Sequence, residues 1–530
     1  MIRWVVWLTC GLGWLVLAAG VIAPLAGMVL AAVEPGSIST AVVGVPVASE
    51  LLVRSVTLAA LATVGAILLG LWPAAVLGAS QGRWAAVLTG LVIAPLLVPP
   101  QVYAYAWGLL ATPDRALTRL LPARLSPCGA GVLRAALITA AWLWPVVALI
   151  LAAGWRSAGR AVYRLAILDT SPGRAFLLAV LPSLRPHLIA AGALVFVISL
   201  LEYPIPHLML SRVYATELMV LVEVGAPPGQ IMRMAVQVIA LVAAVGAMAA
   251  WSLRGLENWQ AMEPDDDLGA SPAASRPGWW SGSTGGAWWL GAAAVWLLSV
   301  AVPVILMAAN LRVPGAWREG LHLFARQWQV SLAVSLIAAT LAVIMAASTV
   351  VMGRAASCRW LRLAALAAVV TAAVPPTALG IGTVLIYNRA GIIGDLYTQT
   401  PVIWILALVG RYGAVAVLIT WLATARRNMV TVDQARVDGA AGSTILACVL
   451  LPLVWPSLLA AGLIVAMLSL FEVVVTQMVG PVGFPSIALT ILNHMHYGRD
   501  DVVITTSLIV VAAGVVVTAL SGWLLARSAR

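Results

Sequence analysis

Two carboxylates, Glu202 and Glu472, stand 270 residues apart inside runs that are otherwise apolar. An ionisable side chain is costly to bury in such a run, which makes each a functional candidate by default. Counted from Pro186 or Pro456, each lies about 24 Å up a helix at 1.5 Å per residue, nearer an outer mouth than a midplane. Paired there, they would attract a cation. The competing role is structural, as protonated or paired groups where Pro204 and Pro206 break the first of the two helices. Arg411, midway along 402–424, is expected at a depth close to that of Glu472, and pairing would relieve the cost of both charges. The matching place in the first half is Ala141 or Trp142, so Glu202 would lack that partner. His494 and His496 invite a metal reading, but side chains two apart do not share a helix face. Two ligands also fall short of the three or four a metal site needs, so no metal is expected there. The four cysteines, Cys10, Cys128, Cys358 and Cys448, are scattered, with no C-x-x-C.

The elements that must position these groups are membrane helices. The chain is 62% hydrophobic and 9% charged, with a mean hydropathy of +1.03, far from soluble composition. Apolar runs of about 22 residues each cross a roughly 30 Å hydrocarbon layer. Twelve are expected: 4–30, 53–77, 84–110, 132–153, 186–209, 230–252, 285–309, 329–352, 359–386, 402–424, 455–479 and 502–526. None alternates as a spanning β-barrel would. The first run is too long for a signal-peptide core and is kept as a span. The expected class is all-α, a polytopic membrane protein.

All thirty basic residues are arginine, which excludes a G-x-x-x-x-G-K-[ST] phosphate loop and ATP hydrolysis of that kind within this chain. The net charge of +11 is spread over short loops, which argues against nucleic acid as a partner. With the N-terminus inside, inner loops hold seventeen arginines against twelve outside, where Arg115, Arg119 and Arg124 share one loop. Both termini are therefore expected on the cytoplasmic side.

The chain is internally duplicated. Ser55–Trp84 aligns without a gap on Ser331–Trp360, and the same offset of 276 puts Pro99-Pro100 on Pro375-Pro376. Both Pro pairs should kink equivalent helices, free backbone carbonyls, and serve as hinge or packing bend. Six spans per half give two parallel six-helix repeats, 1–252 and 285–530, joined by a Gly/Ser/Pro-rich and acidic linker at 253–284. No segment outside the spans is long enough for a folded ligand- or nucleotide-binding domain.

Long inner loops follow spans four and ten, at 154–185 and 425–453. In the second, Asp433 should start a helix, Asp438-Gly439 should turn it, and Pro452 should break the helix resumed at Gly442. The run D-Q-A-R-V-D-G-A followed by L-L-P resembles the E-A-A-x-x-D-G-A…I-x-L-P loop of bacterial ABC-importer permeases. By position Asp433 stands for the Glu, Gln434 and Ala435 for the two Ala, and Asp438-Gly439 for Asp-Gly. In the first half Arg164, Leu165 and Ala166 fall on E-A-A and Asp169-Thr170 on Asp-Gly, with Gly173 following in the same segment. Val98–Pro100, Val374–Pro376 and the Y-G-R-D-D at Tyr497–Asp501 also look like the fused ferric-iron importer permeases.

The resemblance implies a type I importer fold in which two ABC ATPase subunits grip the two loops. It further implies an extracytoplasmic solute-binding protein that delivers cargo, a translocation path through the lipid bilayer, and no covalent chemistry or cofactor in this chain. Iron is the expected cargo; thiamine, putrescine (polyamine) and phosphonate permeases are built alike. From a different class, a secondary carrier also has six plus six parallel spans. Such carriers usually bear G-x-x-x-D-R-x-G-R-R between spans two and three, where this chain has only the short loop 78–83.

Overall fold

The computed structural model describes residues 2–33, 48–80, 82–110, 127–156, 160–253, 283–311, 313, 315–351, 359–425, 429–496 and 500–528. The linker after residue 253, the loop carrying Arg115, Arg119 and Arg124, and residues 497–499 of the Y-G-R-D-D run lie outside them. Helix is the regular structure throughout the described residues, with no strand among them. That is the expected solution for a chain this apolar, because a helix satisfies its own N–H and C=O groups where lipid offers no partner.

Nine helices among the described residues are long and apolar enough to cross a bilayer, from Leu8–Val33 to Asp501–Leu525. The number rises to eleven if each of two bent pairs is one span. Arg185–Leu201 is a further apolar helix of 17 residues. The chain is a multi-pass, all-helical membrane protein. Each of the twelve expected runs has a helix within it, some of them long, some broken and one short.

The compact units do not coincide with the two sequence halves. One comprises Met1–Val45, Glu217–Ile239 and Asn310–Arg530; the other comprises Pro46–Thr216 and Ala240–Ala309. The first helix of each half therefore packs within the unit built mainly from the other half. In the larger unit, Gly13, Gly20 and Gly27 repeat every seven residues and so share one face of the first span. A Cβ on Gly13 would overlap Ser348, one on Gly27 would run into the backbone of Gly382, and one on Gly410 would run into the backbone of Gly20. In the smaller unit, Gly291 of helix Ser283–Trp296 lies against the Trp72 ring, which stacks tilted on Trp288 at 4.8 Å.

Both exchanged helices contain one wide π turn, at Ala18–Ile22 and Leu297–Ala301. Such turns free backbone carbonyls. Tyr387 donates to the Ala19 carbonyl at 2.7 Å in the larger unit. Tyr103 donates to the Ser299 carbonyl at 2.7 Å in the smaller, where Trp144 also donates to the Ser299 hydroxyl at 2.9 Å.

Candidate functional site: two broken helices, their carboxylates and the inner loops

The Pro-Pro pairs do more than kink their helices. Val87–Leu97 and Pro100–Gly108 meet at 78°, and Leu363–Ala373 and Pro376–Tyr387 at 116°. Val98 and Val374 leave helical geometry, with ψ of 123° and 137°. Each second proline opens the following helix at its first turn, where a missing N–H costs nothing. The carbonyls of Val98 and Val374 are then left to find donors elsewhere.

Each donor comes from the next long helix. The Trp142 indole N–H donates to the Val98 carbonyl at 3.1 Å. The Arg411 guanidinium donates to the Val374 carbonyl at 3.4 Å, a stretched bond, and its Nε is buried without a partner. The repeat thus keeps the hydrogen bond and changes the chemistry of its donor, from neutral indole to cation.

Glu472 lies at a second break. Helix Leu451–Leu470 ends there, and Val474–Val479 starts three residues on. The Glu472 carboxylate is buried, and its Oε2 accepts from the Thr476 amide at 2.9 Å and the Thr476 hydroxyl at 3.2 Å. That hydroxyl also accepts from the Trp404 indole at 3.1 Å. A carboxylate over the first turn of a helix satisfies an otherwise orphaned amide and meets the positive end of the helix dipole. Arg411 is close enough to act on Glu472 electrostatically, yet no ion pair joins them. The expected Arg411–Glu472 pair is therefore corrected: Arg411 is bound to the proline break and Glu472 to the helix that follows it. The second break contains no proline.

Glu202 occupies the matching break, in extended geometry at the end of Arg185–Leu201 and before Pro204–Leu208. At the offset of 270, Pro206 stands where the second half has Thr476. A proline has no N–H, so the bond that holds Glu472 cannot form here. Of the histidines, His494 Nδ1 lies 2.9 Å from the Thr490 carbonyl. The side chain of His496 lies outside the described residues, and no group of three metal-ligating side chains occurs among those described.

The inner loop of the second half is a helix, a turn and a wide helical turn. Helix Met429–Val437 starts four residues before Asp433. It ends at Gly439, whose φ of +77° is left-handed, with Ala440 N–H to Ala435 C=O at 2.9 Å and Gly439 N–H to Arg436 C=O at 3.0 Å. These two bonds are the Schellman closure that a D-G step permits. Ala435 and Ala440 pack with buried Val432 against Ile445, Leu450 and Val454, tying the loop to the helix behind it. Asp433 and Arg436 pair at 3.0 Å on the exposed side, beside the 87%-exposed Val437. Gln434 lies within the helix. Pro452 does not end the helix as expected. A π turn over Ile445–Leu450 widens the backbone ahead of it, and the helix continues from Leu451 to Leu470.

The first-half loop is built differently. Helix Arg160–Asp169 carries Ala166 and Asp169, and Thr170 N–H returns to the Ala166 carbonyl at 3.1 Å. Thr170 is not left-handed, and Gly173 falls inside the next short helix, Pro172–Ala175. The helix exposes Leu165 and Leu168, at 68% and 78%. Thr476 and Trp404 are members of these sites that sequence reasoning did not find, nor did it find Trp142 and Arg411 as the donors to the freed Val98 and Val374 carbonyls. No family model, curated protein or solved structure matches the chain.

Proposed function

We propose that this chain is the translocation subunit of a binding-protein-dependent ABC importer in a bacterial inner membrane. In this reading it has twelve spans in two parallel repeats with the type I permease fold and both termini cytoplasmic. Two separate ATPase subunits grip the loops at 160–175 and 429–440, and closure on ATP moves the helices behind those loops. Cargo comes from an extracytoplasmic solute-binding protein; ferric iron is the first choice, with thiamine, polyamine and phosphonate as alternatives.

One observation carries this reading. The loop whose sequence resembles the permease motif is a short exposed helix, closed at Gly439 and fastened through Val432 to helix Leu451–Leu470. A push on its exposed face is transmitted by packed side chains to the long helix, which is the mechanical requirement of a coupling element. The broken helices add to it, since non-helical backbone at membrane depth belongs where protein or a water-filled path covers it.

The test is reconstitution. The chain should copurify with an ABC ATPase, and uptake into proteoliposomes should need ATP, that ATPase and a loaded binding protein. Replacing 433–440 with a Gly-Ser stretch should abolish both. Uptake by the chain alone, driven by an ion gradient, would overturn the proposal in favour of a secondary carrier.

A further inference from the structure

Beyond the second break, a cavity of about 500 Å³ opens within the larger unit. Six of the residues lining it are polar: Arg326, Thr476, Gln477, Ser486, Thr490 and Asn493. Among the described residues no carboxylate lines it. Helix Leu451–Leu470 rises about 30 Å from the inner loop before these residues begin, so the cavity lies at the end of the unit opposite that loop.

Several of those polar groups are already committed. The Thr476 hydroxyl joins Trp404 to Glu472, that of Thr490 donates to the Ser486 carbonyl, and the Gln477 amide donates to Glu223 at 3.1 Å. What remains for a ligand is donor-rich. Arg326 gives one bond to the Gly483 carbonyl at 3.1 Å, which fixes it at the wall while its planar fork has five N–H groups in all. Asn493 adds an amide and Ser486 a hydroxyl. A concave site of this size, with one guanidinium and, among the described residues, no carboxylate in its wall, suits a small oxyanion.

The repeat shows that this is not a by-product of the fold. Ser55 accepts from the Tyr214 amide and Ser331 from the Ile487 amide, each at 2.9 Å, so the two regions share an anchor. Between carboxylate and anchor, the first half has twelve residue steps from Glu202 to Tyr214, and the second has fifteen from Glu472 to Ile487. The added length falls in the loop at 480–486 that walls the cavity. Arg326 itself corresponds to Glu50, which is tied in an ion pair to Arg54. Both the longer wall and the positive charge belong to the second half alone.

We propose that this cavity binds a small solute through a carboxylate or phosphate group, with Arg326 as its charge partner. This inference does not depend on the importer reading, since it requires neither an ATPase nor a direction of transport. The full chain in nanodiscs, without any ATPase, is dialysed to equilibrium against labelled citrate and, separately, inorganic phosphate. Saturable binding of at least one is expected, weakened about tenfold or more by Arg326→Gln, the loss of one charge-assisted contact. Asn493→Trp, on an exposed position at the rim, should block the same binding and decides the question if Arg326→Gln does not fold. Glu50→Gln in the first half should leave binding unchanged. Citrate alone bound would select the carboxylate, and phosphate alone the phosphate. Absence of saturable binding for both probes at millimolar concentration would overturn the proposal. So would equal binding by wild type and Asn493→Trp, or putrescine binding that citrate does not displace.

Discussion

The two halves solve one problem, a helix broken beneath a carboxylate, with different parts. In the second half Glu472 is locked by the amide and hydroxyl of Thr476, and the carbonyl at the Pro-Pro break takes a cation, Arg411. In the first, Pro206 removes the locking amide and the carbonyl takes the neutral Trp142. The inner loops diverge in the same sense, a Schellman-closed charged helix against a helix with two exposed leucines. Backbone demands survive duplication because an unmet carbonyl is costly wherever it occurs. The side chain that meets the demand is free to change, and with it the charge of the region.

Substitutions in matched pairs break or sharpen this comparison. The largest effect is expected at the exchanged helices. Gly27→Leu drives a side chain into the Gly382 backbone and should cost about 3 kcal/mol or prevent assembly. Gly291→Leu meets the Trp72 side chain rather than backbone and should cost less, about 1–2 kcal/mol, both read from thermal unfolding in detergent. Next, Gly439→Val forces a β-branched residue into left-handed backbone at about 1–2 kcal/mol, which, on the proposed importer function, should lower ATP-dependent uptake about tenfold. Thr170→Val, in ordinary backbone, should leave uptake within about twofold, a difference worth only a few tenths of a kcal/mol.

Glu472→Ala orphans a buried amide and should lower stability by about 1–3 kcal/mol, read from thermal unfolding in detergent. The smallest contrast is at the Pro-Pro breaks. Trp142→Phe should cost about 1 kcal/mol for one well-formed bond. Arg411→Met should be near neutral, within about 1 kcal/mol, because it removes a stretched bond together with a partly buried cation. Equal losses at both positions would show that charge at Arg411 contributes nothing distinctive.

Much of this was legible from residue types. Asp438-Gly439 announced a left-handed turn, and V-P-P announced the breaks, since glycine and proline act through their own backbone. Pairing was not legible. Depth counted along a straight helix brings Arg411 beside Glu472, but a break rotates whatever follows it, and each group found a nearer backbone partner. Pro452 was misread because a π turn one step earlier absorbs its missing N–H, and nothing in the residue run marks such a turn. Hydropathy likewise locates a span without saying which neighbour it packs on. The heptad of Gly13, Gly20 and Gly27 was the visible trace of that packing, and it went unread.

The exchanged first helices also set an order of manufacture. Residues 2–33 leave the ribosome well before the surfaces they bury against, around Ser348, Gly382 and Gly410, which are synthesised more than three hundred residues later. The smaller unit can close once residue 309 has emerged, while the opening helix waits in the bilayer for the last third of translation. Severing the chain after residue 252 would therefore yield two fragments, each carrying a helix that belongs to the other.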